Sequence, residues 1–289
     1  MILVLGGGGM LGHKIYQALS GSSLDVRCTF RGSTPNIPLF KPSECIEDVD
    51  VDDLAASEEL VRDTKAKWLI NCVGVIKQRP EATDPVLTIQ TNSLLPHLLA
   101  EWQSNHGGRL LHFSTDCVFS GSRGHYSEND APDANDLYGR SKLLGETRAE
   151  NALTLRTSII GRELSNCASM VEWFLSNRGG RVQGYTKVIY SGVTTNWMSR
   201  AVKSLIESET QLSGVYQLSS PPIAKYDLLM QIKDAMNLDI QIEPFDGVVN
   251  DKSLTSMRFW ADSGLTQPGW SEMIEEMAAD PTPYDEWRT

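Results

Sequence analysis

The chain opens on four apolar residues, Ile2-Leu3-Val4-Leu5, that run into Gly6-Gly7-Gly8-Gly9-Met10-Leu11-Gly12 and then into His13-Lys14-Ile15-Tyr16-Gln17-Ala18-Leu19, where apolar positions recur at helical spacing. A short apolar run bounded by turn residues reads as a buried strand, and the segment after it as a helix. The same alternation continues through the first half. Apolar runs at 24–30, 68–73, 109–114 and 153–156 predict buried strands, with helical patterns near 53–63, 85–105 and 137–150 between them. Strands that alternate with helices predict a parallel, doubly wound α/β sheet.

Beyond Ser158 the pattern is mixed: helices near 170–176, 195–208 and 225–236 and strands near 214–218 and 240–243 predict a smaller C-terminal α/β lobe. Some segments, about 187–208, are expected to return to the first domain. There is no internal repeat and no low-complexity tract. The acidic, aromatic tail 280–289 is expected at the surface.

Composition narrows the function classes. With 289 residues and 40% hydrophobic content the chain has material for a large core. No apolar run approaches the ~20 residues of a membrane span, so the expected location is the cytoplasm. The cysteines, Cys28, Cys45, Cys72, Cys117 and Cys167, are odd in number and lack CxxC spacing, which argues for reduced thiols over a disulfide framework or a metal site. A net charge of −11 without a basic block excludes nucleic acid and an anionic membrane face as partners.

The glycine run carries the first chemistry. A strand, a glycine turn and a helix N-terminus together bring backbone N–H groups and the positive helix end to a pyrophosphate, so Gly6, Gly9 and Gly12, with Met10 and Leu11 between them, predict a dinucleotide site. A plain strand-to-helix connection is the alternative. Residues 1–158 are accordingly expected to form the dinucleotide-binding domain, and 159–289 most of a substrate-binding lobe. The second signal is Tyr138-Gly139-Arg140-Ser141-Lys142. Residues four apart share a helix face, so the Lys142 ammonium can favour ionisation of the Tyr138 phenol, whose reference pKa of ~10 lies far from neutrality. About 20 residues upstream, Ser114-Thr115-Asp116 ends a predicted parallel strand, the edge at which such sheets bind ligands.

The Gly6-x-x-Gly9-x-x-Gly12 spacing resembles that of the extended short-chain dehydrogenases/reductases, a Rossmann-fold family. Ser114-Thr115-Asp116-Cys117-Val118-Phe119-Ser120-Gly121, Tyr126-Ser127-Glu128 and Tyr138-Gly139-Arg140-Ser141-Lys142-Leu143-Leu144-Gly145-Glu146 are similar to the motifs of its dTDP-4-dehydrorhamnose reductase branch. The resemblance implies a reductase of a 4-keto, nucleotide-activated deoxysugar, serving synthesis of surface polysaccharide precursors. It implies Tyr138 as general acid, Lys142 as the group that lowers its pKa and holds the nicotinamide ribose, and Thr115 as a hydrogen-bond partner of the substrate oxygen. Asp50 and Val51 would border the adenine, and Cys72, Val73 and Gly74 would line the cofactor. Asn92 matches a family asparagine that supports the active site, while as a residue it reads equally as a helix-buried amide. Val75, Asp116, Cys117, Ile159 and Trp173 are the candidate substrate contacts, and a homodimer is the candidate assembly.

Cofactor choice follows from the second strand, which ends in Arg31 where an NAD enzyme places a carboxylate; a guanidinium fork suits a 2′-phosphate, so NADPH is expected over NADH. Two departures from the branch bear on the sugar: Cys117 stands where it has Tyr, and Ile159 where it has Trp. Val75-Ile76-Lys77-Gln78-Arg79 adds positive charge where the branch carries small and acidic residues. Cys117 also matches the acid/base cysteine of GDP-fucose synthase, which makes an epimerase/reductase an alternative, although no histidine lies in the later loop where its partner belongs. A dehydratase is disfavoured because Asp116 is followed by Cys117 and not by Glu. A regulatory subunit that keeps the NADP site without catalysis is the non-enzyme alternative.

Overall fold

The computed structural model describes residues 1–77, 80–165 and 167–288. In chain order the strands are β1 (Ile2–Leu5), β2 (Val26–Thr29), β3 (Cys45–Ile46), β4 (Trp68–Asn71), β5 (Arg109–Thr115), β6 (Ala152–Thr157), β7 (Ile159–Ile160), β8 (Arg181–Tyr185), β9 (Val188–Tyr190), β10 (Val193–Thr194), β11 (Gly214–Gln217), β12 (Ile223–Ala224), β13 (Gln241–Phe245) and β14 (Asn250–Asp251). The helices are α1 (Gly12–Ser20), α2 (Leu54–Thr64), α3 (Pro85–Ile89), α4 (Leu95–Ser104), α5 (Leu137–Leu144), α6 (Met170–Leu175), α7 (Thr195–Glu207), α8 (Lys225–Ala235), α9 (Met257–Ser263), α10 (Trp270–Ala278) and α11 (Tyr284–Trp287).

Seven strands form one sheet in the order β11-β6-β5-β4-β1-β2-β3, and every pairing in it is parallel. This is the doubly wound Rossmann sheet that the alternating pattern predicts. The period of two along each strand sorts its side chains onto two faces. Ile2 and Val4 of β1, Trp68 and Ile70 of β4, and Leu111 and Phe113 of β5 enter one apolar cluster with Ile15 of α1 and Val202 of α7. Leu3, Leu5, Leu69 and Leu110 enter the other, with Val61 of α2 and Leu99 of α4. Both faces are covered, and the ends of β1, β4 and β5 open at one edge.

Two expectations are corrected. The strand near 214–218, assigned to the smaller lobe, is β11, and it pairs with β6 at the edge of the main sheet. The segment that returns is also shorter than 187–208: β9 pairs with β12 and β14 in the smaller lobe, and α7 is what comes back to the first domain's core. Periodicity shows that a strand exists but not which edge it joins.

The tail is corrected as well. Tyr284 is buried, its hydroxyl donates to His13 Nε2 at 2.9 Å, and Asp280 meets Lys14 at 2.6 Å with both side chains almost fully buried. The described part of 280–289 packs against α1 through Tyr284 and through Asp280, which finds the buried cation Lys14 there, a pairing that composition does not reveal.

Candidate active site

At the end of β1 the glycine turn closes on itself: Gly9 N–H donates to the Gly6 carbonyl at 3.1 Å and Gly7 N–H to the Thr29 carbonyl at 2.8 Å. A Cβ at Gly12 would run into the Gly6 carbonyl oxygen, so the first turn of α1 can lie against the strand end only without a side chain there. Beside it is a cavity of about 260 Å³. Of the expected cofactor residues Gly6, Gly9, Arg31, Asp50, Val51, Cys72, Val73 and Gly74 line it, and so does Val75. Met10, Leu11 and Gly12 do not, and Leu11 turns into the core. The lining also contains Thr29, Phe30, Asp52, Leu87, Thr91 and Ser165, which the sequence did not single out. Thr29 carried a signal, since it ends the second strand next to the glycine turn; Leu87, Thr91 and Ser165 come from segments with no motif.

Arg31 stands at the mouth, 62% exposed, 3.0 Å from Asp52 and 3.4 Å from Asp50. At that exposure the guanidinium can leave both carboxylates for a stronger phosphate partner at little cost. The glycine turn, the side-chain-free approach at Gly12 and the arginine at the mouth fit an NADP dinucleotide.

The second cluster is built by α5. Asp136 caps this helix, its Oδ1 accepting from Gly139 N–H at 2.7 Å. A Cβ at Gly139 would meet the Cys117 carbonyl, so the glycine lets α5 dock directly on the loop after β5. Docking brings the Tyr138 phenol under the influence of Thr115, Asp116 and Cys117. Lys142, buried, points toward Gly74, with Nζ 3.9 Å from where a Cβ on that glycine would be. Tyr138 thus meets Thr115, and Lys142, one turn further along α5, reaches Gly74 in the lining of the dinucleotide cavity.

Asn92 fixes this arrangement. It lies in a π-helical turn, Gln90–Leu94, between α3 and α4, the kind of irregularity that aims a side chain out of register. Its Oδ1 accepts from Val75 N–H and its Nδ2 donates to the Val75 carbonyl, each at 2.9 Å; Nδ2 also reaches Ser141 Oγ at 3.2 Å. One buried amide therefore ties the loop after β4 to α5. Below the site, Ser114 Oγ donates to Glu146 at 2.8 Å, and Glu146 is clamped by Arg156 through two bonds of 2.7 Å.

Burial sets the electrostatics. It pushes the Tyr138 phenol up, reinforced by Asp116 and opposed by the Thr115 hydroxyl. It pulls Lys142 down to about 8, opposed by Glu146. Asp116 and Cys117 are both raised by burial, so the Cys117 thiol is held protonated. The histidines are engaged elsewhere: His13 with Gly9 and Tyr284, His97 with Leu144, His106 with Ala66, His112 with Asn71, and His125 through its backbone with Ser253.

The remaining expected substrate residues are not gathered at the cavity. Ile159 packs partly buried against the main core, and Trp173 stands 43% exposed on α6 beside Phe174. Of the basic stretch, Lys77 lies beside Tyr138, while Gln78 and Arg79 lie outside the described residues.

A family model for the RmlD substrate binding domain matches residues 1–255. Methionine adenosyltransferase 2 subunit beta of Rattus norvegicus is 26% identical over 261 residues, spanning 82% of this chain and 72% of the rat protein. A Haloferax volcanii protein named as a probable low-salt glycan biosynthesis reductase is 29% identical over 163 residues, 54% of this chain and 52% of that protein. Among solved structures, the dTDP-4-dehydrorhamnose reductase of Bacillus anthracis str. Ames in complex with NADP matches with a TM-score of 0.76 at 19% identity, covering 96% of this chain and 97% of that one. UDP-glucose 4-epimerase of Thermotoga maritima with UDP-glucose matches with a TM-score of 0.78 at 17% identity, again covering 96% and 97%. At such identities the structures establish the shared fold.

Proposed function

The chain belongs to the RmlD substrate binding domain family, and we propose that it is a cytoplasmic NADPH-dependent reductase of a 4-keto, nucleotide-activated deoxysugar, acting in the synthesis of surface polysaccharide precursors. The observation that carries this proposal is that α5 sets Tyr138 against Thr115 and, one turn on, Lys142 against Gly74 of the dinucleotide cavity. A module that only binds NADP has no use for a phenol, a hydroxyl and an ammonium placed where a nicotinamide and a carbonyl would meet.

Bound NADPH supplies a hydride to the keto carbon. The Tyr138 phenol gives its proton to the carbonyl oxygen as negative charge develops there, and Thr115 holds that oxygen by a hydrogen bond. Lys142 would hold the nicotinamide ribose and balance the negative charge left on Tyr138. Val75, fixed by Asn92, lines the cavity, and Asp116 and Cys117, beside Tyr138, would face the substrate. The preference for NADPH rests on Arg31 and is supported by the NADP complex of the Bacillus anthracis relative.

A second function, a subunit that binds NADP without turnover, has in its favour the similarity to methionine adenosyltransferase 2 subunit beta. An epimerase/reductase using Cys117 lacks the histidine partner that the chemistry needs. Exposed Val86, Ile89, Leu94 and Leu144, on α3 to α5, support a homodimer. NADPH oxidation by the purified protein across a panel of 4-keto nucleotide sugars separates the first two: turnover with any of them supports the reductase, and tight NADPH binding with no turnover across the panel favours the subunit.

A further inference from the structure

Lys77 is the residue of the basic stretch whose place the fold explains in chemical terms. It follows β4 in the loop that Asn92 anchors, and its Nζ stands 5.5 Å from the centre of the Tyr138 ring. Asp136 holds it there through an ion pair of 2.7 Å from Oδ2, while Oδ1 of the same carboxylate caps α5. One aspartate thus sets the start of the helix that carries Tyr138 and the position of a cation on that ring. Lys77 and Asp136 are 42% and 41% exposed, and an ion pair so open to water adds little to folding. Its position against the phenol is what distinguishes it.

We propose that Lys77 is a positioning residue for proton transfer: its ammonium, held by Asp136 against the Tyr138 ring, stabilises the phenolate that remains when Tyr138 gives its proton to the substrate oxygen. A cation near an aromatic ring is attracted to its electrons, and the attraction grows when the ring carries a full negative charge. The O–H bond of Tyr138 breaks, the proton forms a new O–H bond on the substrate, and the charge left on Tyr138 faces Lys77 as well as Lys142.

The groups around the phenol make this second cation consequential. From α5 come Lys142 and Asp136, and from the loop after β5 come Thr115, Asp116 and Cys117. Lys252 and Lys225 act on Asp116 from the smaller lobe, and Tyr190 faces Asp116 and Cys117. Burial and the carboxylates of Asp116 and Asp136 oppose ionisation of the phenol, and the Thr115 hydroxyl favours it. Burial also works against the charge of Lys77, but Asp136, with Asp116, holds it above the usual lysine value.

The inference rests on Tyr138 as proton donor, and its test needs no sugar. A fluorinated tyrosine, which ionises at lower pH than tyrosine, is incorporated into the full chain, and its resonance at 138 is assigned by its loss in Tyr138→Phe. In Lys77→Met the fluorine titration midpoint at 138 moves up by about one pH unit, and Lys77→Arg restores it. An unchanged midpoint in Lys77→Met overturns the proposal, as does an equal rise in Lys77→Arg; if Lys77→Met fails to fold, Lys77→Gln is read in the same way. With a reducible keto sugar in hand, Lys77→Met lowers kcat and leaves the Kd for NADPH unchanged. Failure of every sugar in the panel counts against the reductase and leaves the fluorine result standing.

Discussion

At the scale of single residues, the proposed chemistry turns on protons held or released by Tyr138 and Lys142. Tyr138→Phe keeps the ring and loses the proton, so NADPH titrations are expected to match the wild type while kcat falls by about a hundredfold or more; unchanged turnover rules out Tyr138 as the donor. Lys142 loses its charge as pH rises through about 8, because burial disfavours the ammonium. Its help to Tyr138 is therefore present below that pH and lost above it, and kcat/KM for reduction is expected to decline on the alkaline side of about 8, as a pH–rate profile would show. Arg31→Ala is expected to narrow the preference for NADPH over NADH, measured by direct binding. A wild type that prefers NADH would show that Asp50 and Asp52 keep the guanidinium engaged.

At the scale of elements, the tail and α1 are one unit. His13 Nδ1–H donates to the Gly9 carbonyl at 2.8 Å, and its other nitrogen accepts from Tyr284, so the C-terminal segment reaches the backbone of the glycine turn through a single imidazole. Lys14 and Asp280 close the other side of this contact. Removing one partner of a buried pair leaves the other charge without compensation. Asp280→Ala is expected to cost about 3 kcal/mol in urea unfolding and to weaken NADPH binding, and the double variant Lys14→Met/Asp280→Ala to recover most of the stability. A single variant as stable as the wild type would mean that Asn196 and Gln17 rearrange to hold Lys14.

At the scale of the whole molecule, substrate choice belongs to the space between the sheet edge and the smaller lobe. Cys117 and Ile159 stand where the resembled branch has aromatic residues. Ile159 packs against the main core, so the proposed site loses one stacking face, at Cys117, and gains room there, a change of about 1 kcal/mol between competing sugars. A 4-keto nucleotide sugar other than dTDP-4-dehydrorhamnose is expected to have the higher kcat/KM, and a clear advantage for dTDP-4-dehydrorhamnose would defeat this expectation.

Much of this was legible in the chain itself. The strand, glycine turn and helix at the N-terminus, the alternation that followed and the Tyr138–Lys142 spacing determined a parallel dinucleotide-binding sheet and its candidate chemistry, because each depends on contacts between residues close in sequence. Tertiary structure alone decided that β11 joins the main sheet, that Asn92 binds Val75 to α5, that 280–288 seats against α1, and that Lys77 stands on the ring of Tyr138. These are pairings across tens to hundreds of residues, and their partners are chosen by burial and by the need of each buried polar group for a counterpart, which local periodicity does not encode.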